Sequence, residues 1–147
     1  MKIEGSYTLK APREKVWSAL LDPKIMAQCM PGCDELREIG PDQYEAILKI
    51  GVASVKGTYR AKISIREKQP PSHYVLSGEG SGGPGFMRAD VAIDLEGKDG
   101  ETVLRYTTDV TIGGLIAGLG QRMLSGIAKM LADQFFKKVE SFVSYER

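Results

Sequence analysis

Apolar and polar residues alternate over most of the first 112 positions of the chain. Ile3, Tyr7 and Leu9 share one side of the first segment, and a period of two is typical of a half-buried β-strand. Residues 11–29 instead space their apolar positions as helices do, and they predict two short helices. The alternation returns over residues 36–112, which predict about six further strands.

Turn residues set the expected register of those strands. A two-residue turn at Asp99-Gly100 places Leu95 opposite Leu104 in an antiparallel hairpin. Similar turns are expected at Gly82-Gly83 and at Val52-Ala53. Further pairs expected from the three turns are Ile93 with Tyr106, Asp94 with Arg105, Gly78 with Met87, and Leu48 with Gly57. Because a one-residue slip would expose every inward side chain, this agreement favours an antiparallel meander.

A long helix is predicted after Gly113-Gly114, running to about Tyr145. Its apolar positions step mostly by four and are expected to bury one face along the whole length; they are Leu119, Met123, Ile127, Leu131, Phe135, Val139 and Phe142. A curved antiparallel sheet of about six to seven strands, wrapped around this one C-terminal helix, buries both apolar faces. The chain is therefore expected to form a single α+β domain over residues 1–147, with the two short helices after the first strand.

Small residues are concentrated at inward positions of the predicted sheet, and glycines are concentrated around the start of the long helix. The small inward residues are Ala46, Gly57, Ala61, Gly78, Gly80 and Ala89. Glycine inside a helix costs about 1 kcal/mol relative to alanine, so repeated glycines call for a reason. One reason is a ligand cavity bordered by a mobile segment; the other is a solid core in which the helix packs close to the sheet. Spacing alone leaves both open.

Composition and charge argue against several classes of protein. Apolar residues make up 42% of the 147 positions and charged residues 27%, which is ordinary for a globular domain. A net charge of +1 provides no overall attraction for nucleic acid. No apolar run resembles a signal peptide or a membrane span, so we expect a cytoplasmic protein.

Residues able to catalyse a reaction or hold a metal are scarce. His73 is the one histidine, and it is expected in an exposed loop rather than as a general base. Cys29 and Cys33 bring the possible ligands to three, too few for a structural zinc site, and free thiols are expected. The acidic residues of outward parity are expected on a solvated surface; they are Asp90, Asp94, Glu96 and Asp109. We predict no catalytic residue, no metal site and no cofactor, and hence a protein that is not an enzyme.

Seven short segments, in order along nearly the whole chain, carry a family resemblance. They are residues 30–36 (MPGCDEL), 55–59 (VKGTY), 78–86 (GEGSGGPGF), 102–106 (TVLRY), 109–114 (DVTIGG), 119–122 (LGQR) and 132–136 (ADQFF). Together they resemble the CoxG-like family of carbon monoxide dehydrogenase subunits, which lies within the START-related helix-grip (SRPBCC) superfamily. Each segment is weak alone, but their order makes the resemblance fairly specific.

The resemblance implies a helix-grip fold and a carrier that has no catalytic residues. Members are associated with carbon monoxide dehydrogenase and related molybdenum hydroxylases, and they hold a quinone-like or lipid-like molecule in an internal cavity. The implied partners are therefore a hydrophobic small molecule and such an enzyme complex, with transient contact at the inner face of the cell membrane. Some members have a C-terminal membrane anchor, and none is expected after the long helix here.

The expected ligand-binding residues are inward positions near the small-residue patch. They are Leu48, Val55, Tyr59, Ala61, Leu76, Gly78, Met87 and Tyr106 from the sheet, with Leu119, Met123 and Ile127 from the helix. Tyr59 or Tyr106 would offer a hydroxyl to a quinone carbonyl, although inward tyrosines are more often core residues with satisfied hydroxyls. The segment Ile112–Gly120 is the expected gate, because its glycines allow movement.

Two other functions stay open. A ligand-free assembly factor would dock on a partner protein through an exposed apolar patch near Leu115, Ile116 and Leu119. A cyclase- or dehydratase-type enzyme would need a polar pair inside the pocket, where only tyrosines and Thr108 are expected.

Overall fold

The computed structural model describes residues 1–144, and its elements follow the predicted order. They are β1 (Lys2–Leu9), α1 (Arg13–Leu21), α2 (Pro23–Cys29), β2 (Cys33–Gly40), β3 (Gln43–Ile50), β4 (Gly57–Gln69), β5 (His73–Gly82), β6 (Gly85–Lys98), β7 (Glu101–Gly113) and α3 (Gln121–Ser144). Two short 3₁₀ helices, Ala53–Val55 and Leu115–Leu119, precede β4 and α3. The expected end of the long helix at Tyr145 lies outside the described residues.

The seven strands form one antiparallel sheet in the order β1-β7-β6-β5-β4-β3-β2. Strands β2 to β7 form a meander in which each pairs with the next along the chain, and β1 pairs with β7. The two short helices follow β1, and α3 follows the last strand. The predicted fold class, a curved sheet around one long C-terminal helix, is confirmed.

Local chemistry accounts for the boundaries of the short helices. Pro12 precedes α1 at a position where a backbone N–H would have no helical partner. Asp22 ends α1, and its carboxylate accepts a hydrogen bond from the Lys24 backbone N–H at 2.9 Å. This caps α2, whose first residue is Pro23. The two helices predicted over residues 11–29 are therefore both present, and Asp22 divides them.

The predicted hairpin at Asp99-Gly100 is confirmed. Leu95 pairs with Leu104 across β6 and β7, and Asp94 lies opposite Arg105. Asp-Gly suits the positive φ angles of a tight hairpin turn, and here Asp99 and Gly100 have φ of 54° and 78°. This turn fixes the register of the two strands that it joins.

The other two predicted turns are each displaced by two residues in register. The observed pairs are Gly80 with Met87, Gly78 with Ala89, Leu48 with Tyr59, and Ile50 with Gly57. The turn between β5 and β6 is Gly83-Pro84, and residues 51–56 form a longer connection that contains a 3₁₀ helix. Because side chains alternate with a period of two, a shift of two leaves every predicted inward residue on the inner face.

Buried residues form two separate apolar clusters. The larger extends from α1 and α2 across the sheet to the C-terminal half of α3, where Phe136, Val139 and Val143 are buried. The smaller lies at the start of α3, and its buried members are Val55, Ile116 and Leu124. The interior is therefore divided along the length of α3.

The buried face of α3 differs from the predicted one. A step of four residues turns about 40° beyond a full helical turn, so a series that steps by four drifts around the helix. The predicted series meets the buried face at Val139, which is fully buried, but Met123 is 48% exposed and the adjacent Leu124 is buried instead. At its N-terminal end the predicted face was therefore wrong.

Candidate ligand cavity

Three adjacent strands place small residues side by side on the inner face of the sheet. Ala46, Ala61 and Gly80 lie in one row of the register. Gly78 is a neighbouring inward position, and a Cβ built there would meet only the Lys62 carbonyl oxygen, at 3.9 Å. Apolar side chains in contact approach to about 4 Å. Within the described chain, the inner face above Gly78 is therefore open.

The middle of α3 also carries small side chains on the surface that faces the sheet. Leu124 and Phe136 are buried, but Ala128 and Ala132, which share their face of the helix, remain partly exposed. The α3 backbone packs on α1, α2, β1 and the 115–119 segment. Both alanines pack against the larger apolar cluster without being fully buried, and from this and the open position at Gly78 we infer a space between helix and sheet. We call this space, bordered by Gly78, Ala128 and Ala132, the inner cavity.

The predicted ligand-binding residues fall into three groups by exposure. Val55, Tyr59 and Tyr106 are buried; Leu48, Ala61, Leu76, Gly78, Leu119 and Ile127 are partly exposed; Met87 and Met123 are 43% and 48% exposed. The structure brings the sheet members other than Val55 together on the inner face. Val55, Leu119 and Ile127 instead belong to the smaller apolar cluster, and Met123 lies away from both.

The Tyr59 hydroxyl is used within the protein. It donates a hydrogen bond to the Val55 carbonyl oxygen at 2.5 Å in buried surroundings, and burial raises the pKa of Tyr59. A ligand could take this hydroxyl only by leaving a buried carbonyl without its partner. Tyr59 therefore has a structural role, as the more common interpretation of an inward tyrosine would have it.

Tyr106 lies in an aromatic group with Tyr7 and Phe136. Its ring centroid is 5.6 Å from that of Phe136, and the Tyr7 and Phe136 centroids are 4.8 Å apart. The ring covers Gly5 of β1, where a Cβ would lie 2.6 Å from Tyr106 Cε1. No protein group within residues 1–144 forms a hydrogen bond with the Tyr106 hydroxyl, and burial raises its pKa. Of the two predicted hydroxyls, that of Tyr106 remains free for a polar ligand atom.

Sequence reasoning missed a carboxylate beside these rings. Asp133 on α3 pairs with Lys137 at 3.1 Å and is hydrogen-bonded to the Tyr7 side chain. Lys137, and next the Tyr7 hydroxyl, hold the pKa of Asp133 below its usual value, while burial, and next Asp133, raise the pKa of Tyr7. The spacing of Asp133 and Lys137 signals their ion pair. Contact with Tyr7 depends on how α3 packs on β1, which no sequence pattern gives.

The predicted gate is a short 3₁₀ helix between two glycines. Gly114 and Gly120 have φ of 80° and 88°, which favour glycine because other residues are strained there. Between them the Ile116 N–H donates to the Pro84 carbonyl oxygen at 2.9 Å, whereas Leu115 is 82% exposed. A depression of about 350 Å³ lies beside Leu115. The gate is thus held by a hydrogen bond at Ile116 and has a glycine of positive φ at each end.

A larger concavity, of about 910 Å³, lies on the outer face of the sheet. Its walls include Glu45, Lys62, Glu79 and Arg88, which alternate in charge across four adjacent strands. Cross-strand pairs of opposite charge are a normal feature of solvated sheets. Of the predicted ligand-binding residues, only Ala61 and Met87 border this groove.

The histidine and cysteines occupy structural positions. His73 was expected in an exposed loop; it is instead the first residue of β5, partly buried, with Nδ1 2.8 Å from Asp94 Oδ1. Cys29 is buried and Cys33 partly buried, and both are free thiols. The Cys33 Sγ donates to the Glu35 carbonyl oxygen at 3.6 Å. Among residues 1–144, no three His, Cys, Asp or Glu side chains come together as a metal site would require.

The acidic residues on β6 and β7 lie on the outer face, as predicted. Asp90 accepts hydrogen bonds from Ser77 at 2.6 Å and from Arg66 at 3.4 Å, and these groups lower its pKa, Ser77 first. Asp109 pairs with the N-terminal ammonium at 3.0 Å. The Arg105 guanidinium lies 4.0 Å from Glu96 rather than on Asp94, its neighbour in register. The cluster is a solvated, ion-paired surface.

No helix in the described part of the chain is long and apolar enough to cross a membrane. That observation concerns residues 1–144, which include all of α3 as given above.

Comparison with known proteins agrees with this architecture. A family model that describes a carbon monoxide dehydrogenase subunit (CoxG) matches residues 5–144. No curated protein matches the chain. A crystal structure of a conserved protein from Geobacillus kaustophilus is 46% identical, with a TM-score of 0.96; the alignment covers 98% of this chain and 95% of that one.

More distant solved structures share the fold. A START superfamily protein from Mycobacterium smegmatis is 13% identical with a TM-score of 0.76, and the alignment covers 97% of both chains. The Zhui aromatase/cyclase from Streptomyces sp. R1128 is 18% identical with a TM-score of 0.73, covering 98% of this chain and 93% of that one. At these identities the likeness concerns architecture alone.

Proposed function

Because the chain belongs to the CoxG family of carbon monoxide dehydrogenase subunits, we propose that it binds a hydrophobic small molecule in the inner cavity. One observation carries the proposal: the inner face is open above Gly78, and Ala128 and Ala132 leave room on the facing helix. An empty apolar space lowers the stability of a protein, so a ligand that fills it is favoured. A ligand that fills it would gain about 25 cal/mol for each Å² of apolar surface removed from water.

The proposed ligand is quinone-like or lipid-like. The predicted ligand-binding residues combine apolar side chains, such as Leu76 and Leu48, with the hydroxyl of Tyr106, which has no hydrogen-bond partner within residues 1–144. An apolar pocket that holds few polar groups suits a greasy molecule with one or two oxygen atoms. The Tyr106 hydroxyl would donate to such an oxygen, and Tyr59 would keep its bond to Val55.

The proposed role is that of an accessory or carrier for a molybdenum hydroxylase of the carbon monoxide dehydrogenase type. Family membership supports this role, since the family takes its name from that enzyme. The protein would not itself be an enzyme, because a carrier needs burial of its ligand and no catalytic group. We place it in the cytoplasm or peripherally at the inner face of the cell membrane.

The test is native mass spectrometry of the purified protein, followed by solvent extraction and identification of any bound molecule. The proposal predicts one hydrophobic molecule per chain, or, for an empty preparation, uptake of a menaquinone or ubiquinone analogue on titration. An empty protein that also takes up neither analogue would overturn it. Faster reduction of the quinone by a purified hydroxylase when the loaded protein is added would support the accessory role.

A ligand-free assembly factor is the second candidate function, and the 82% exposure of Leu115 supports it. Gly78→Leu separates the candidates, because a branched side chain in the inner cavity would block a ligand, while Gly78 lies inside β5, four residues before its gate-side end at Gly82. Loss of ligand uptake with retained fold favours the carrier. Unchanged maturation of a partner enzyme by that variant would favour the assembly factor.

A further inference from the structure

Three stretches of the chain contain basic residues and no Asp or Glu at all. They are residues 46–66, 80–89 and 110–132. Their basic residues are Lys49, Lys56, Arg60, Lys62, Arg66, Arg88, Arg122 and Lys129. Because the whole chain has a net charge of only +1, the remainder must be acidic overall. The near-neutral total conceals a strong separation of charge along the sequence.

The fold gathers much of this basic charge at one end of the sheet. Ile50 pairs with Gly57, Gly82 with Gly85, and Phe86 with Gly113, so these connections lie at the same end. The 115–119 segment contacts the 53–55 turn, β6, β7 and α3 there. We call this the gate end, defined by residues 50–57, 82–88 and 113–123. It is also the end at which the predicted gate lies.

Four cations at or beside the gate end are exposed and have no ion-pair partner within residues 1–144. They are Lys56, Arg60, Arg88 and Arg122. The carboxylates nearby are largely occupied: Asp34 pairs with Lys49 at 3.4 Å, and Asp109 pairs with the N-terminal ammonium at 3.0 Å. Glu35 and Glu79 have no ion-pair partner among the described residues, and they share the outer groove with Arg60 and Arg88. The ranges that define the gate end, however, contain no Asp or Glu. The gate end therefore has a net positive surface.

Large apolar side chains are exposed among these cations. Leu115 is 82% exposed, Phe86 49% and Met123 48%. Leu115 lies on the gate segment, while Met123 shares the first turn of α3 with Arg122. Single exposed apolar residues are common, but three of them placed among unpaired cations form a mixed surface. Such a surface matches a lipid interface, where apolar tips enter the acyl boundary and cations meet the headgroups.

We propose that the gate end docks on an anionic lipid membrane, with Leu115 inserted and Lys56, Arg88 and Arg122 on the headgroups. Its purpose rests on the proposed function, since docking would bring the gate segment to the surface from which a greasy ligand comes. Charge complementarity favours an anionic membrane as the partner of the gate end. An anionic bilayer attracts every cation at the gate end together, whereas the acidic remainder of the molecule is repelled and turned away.

The test is co-sedimentation of the purified protein with vesicles of phosphatidylcholine alone or of phosphatidylcholine with phosphatidylglycerol. Binding is expected only to vesicles containing phosphatidylglycerol. It should be lost at about 1 M salt, where the screening length falls to about 3 Å. Lys56→Glu and Arg122→Glu should each weaken binding at least about fivefold, given the attraction of one cation near an anionic surface. Lys98→Glu, an exposed substitution at the opposite end of β6, is the matched control and should bind as the wild type does.

Leu115→Ser separates insertion from attraction alone. It should reduce binding to phosphatidylglycerol vesicles without changing the dependence on salt. Equal sedimentation with both kinds of vesicle, no sedimentation with either, or an equal loss in Lys98→Glu and Arg122→Glu would overturn docking at the gate end. The vesicles carry no added quinone, and ligand content is measured separately by native mass spectrometry. A protein that holds a ligand but does not sediment with vesicles would refute docking alone. A protein that sediments with vesicles but neither contains nor takes up a ligand would refute the carrier alone.

Discussion

The hydroxyl of Tyr59 donates to the carbonyl oxygen of Val55 at 2.5 Å, and both residues are buried. The bond ties the inner face of β4 to the 53–55 turn at the gate end. Val55 in turn belongs to the small apolar cluster with Ile116 and Leu124. The turn, the gate and the first turns of α3 therefore rest on one another.

Tyr59→Phe is expected to lower the free energy of unfolding by about 1 kcal/mol, because the buried Val55 carbonyl loses its partner. Ligand affinity should change little, since the hydroxyl faces protein. Tyr106→Phe is the matched variant, and it should weaken binding of a quinone analogue while costing less stability. Urea unfolding and ligand titration of both variants check this. The opposite pattern would assign the ligand contact to Tyr59.

Leu124→Ala and Met123→Ala compare adjacent residues that differ in burial on α3. Leu124 is buried and Met123 is 48% exposed. Truncating a buried leucine costs about 2–5 kcal/mol, whereas an exposed change stays within about 0.5 kcal/mol. Thermal or urea unfolding of both proteins measures the difference. A larger loss of stability in Met123→Ala than in Leu124→Ala would support the helix face predicted from the sequence instead.

Gly114→Ala and Gly126→Ala should shift stability in opposite directions. Gly114 has a positive φ, and a Cβ there would lie 2.7 Å from the Gly85 Cα, so alanine should destabilise by more than about 1 kcal/mol. Gly126 lies inside α3, and a Cβ built there would meet nothing within 4 Å outside the adjacent helix backbone, so alanine should stabilise by about 0.5–1 kcal/mol. Urea unfolding gives both values. Loss of stability in Gly126→Ala would show that this glycine has a close neighbour.

Stability should fall as the pH rises above about 9. Burial raises the pKa of Cys29 to about 11, with Lys138 acting in the opposite direction. The folded protein therefore keeps this proton at pH values where the unfolded chain, with an ordinary pKa near 9, releases it. The loss should be spread between about pH 9 and 11 and should be smaller in Cys29→Ala. Urea unfolding at pH 8 and pH 10 measures it, and equal losses in both proteins would assign the effect to other groups.

The same burial predicts different reactivity of the two thiols. Cys29 is buried, whereas Cys33 is partly exposed, and the thiolate is the reactive form. At pH 8 an alkylating reagent should modify Cys33 first in the folded protein, as peptide mapping would show. Faster modification of Cys29 would contradict its burial.

Strand parity was predictable from the sequence because it depends only on alternation. The Asp99-Gly100 turn gave the register of β6 and β7 correctly, since its residues specify a two-residue hairpin. The connection over residues 51–56 lacks such a signal, so the predicted register of β3 and β4 was wrong by two residues. The residues predicted to face inward were still correct, because a shift of two preserves parity. Family membership was equally accessible, because it rests on seven segments spread along the chain.

The phase of α3 and the use of individual hydroxyls were not predictable. Steps of four residues drift around a helix, so the apolar series ending at Phe142 could not fix which side of Met123 is buried. The Tyr59–Val55 bond and the Asp133–Tyr7 contact both depend on packing between elements. The small inward residues left a cavity and a solid core both open, and only the structure shows that no side chain of the described residues lies within 4 Å of a Cβ placed at Gly78.

Ligand binding in the inner cavity is tested most directly by a variant that fills this cavity and leaves the protein surface unchanged. Gly78→Leu places a branched side chain in the open space above the sheet, and the strand conformation of Gly78 accepts it. Native mass spectrometry should find one hydrophobic molecule per chain in the wild type, or one quinone analogue after titration. The variant should remain folded and bind neither. Equal ligand uptake by the folded variant and the wild type would contradict a binding site between the sheet and α3.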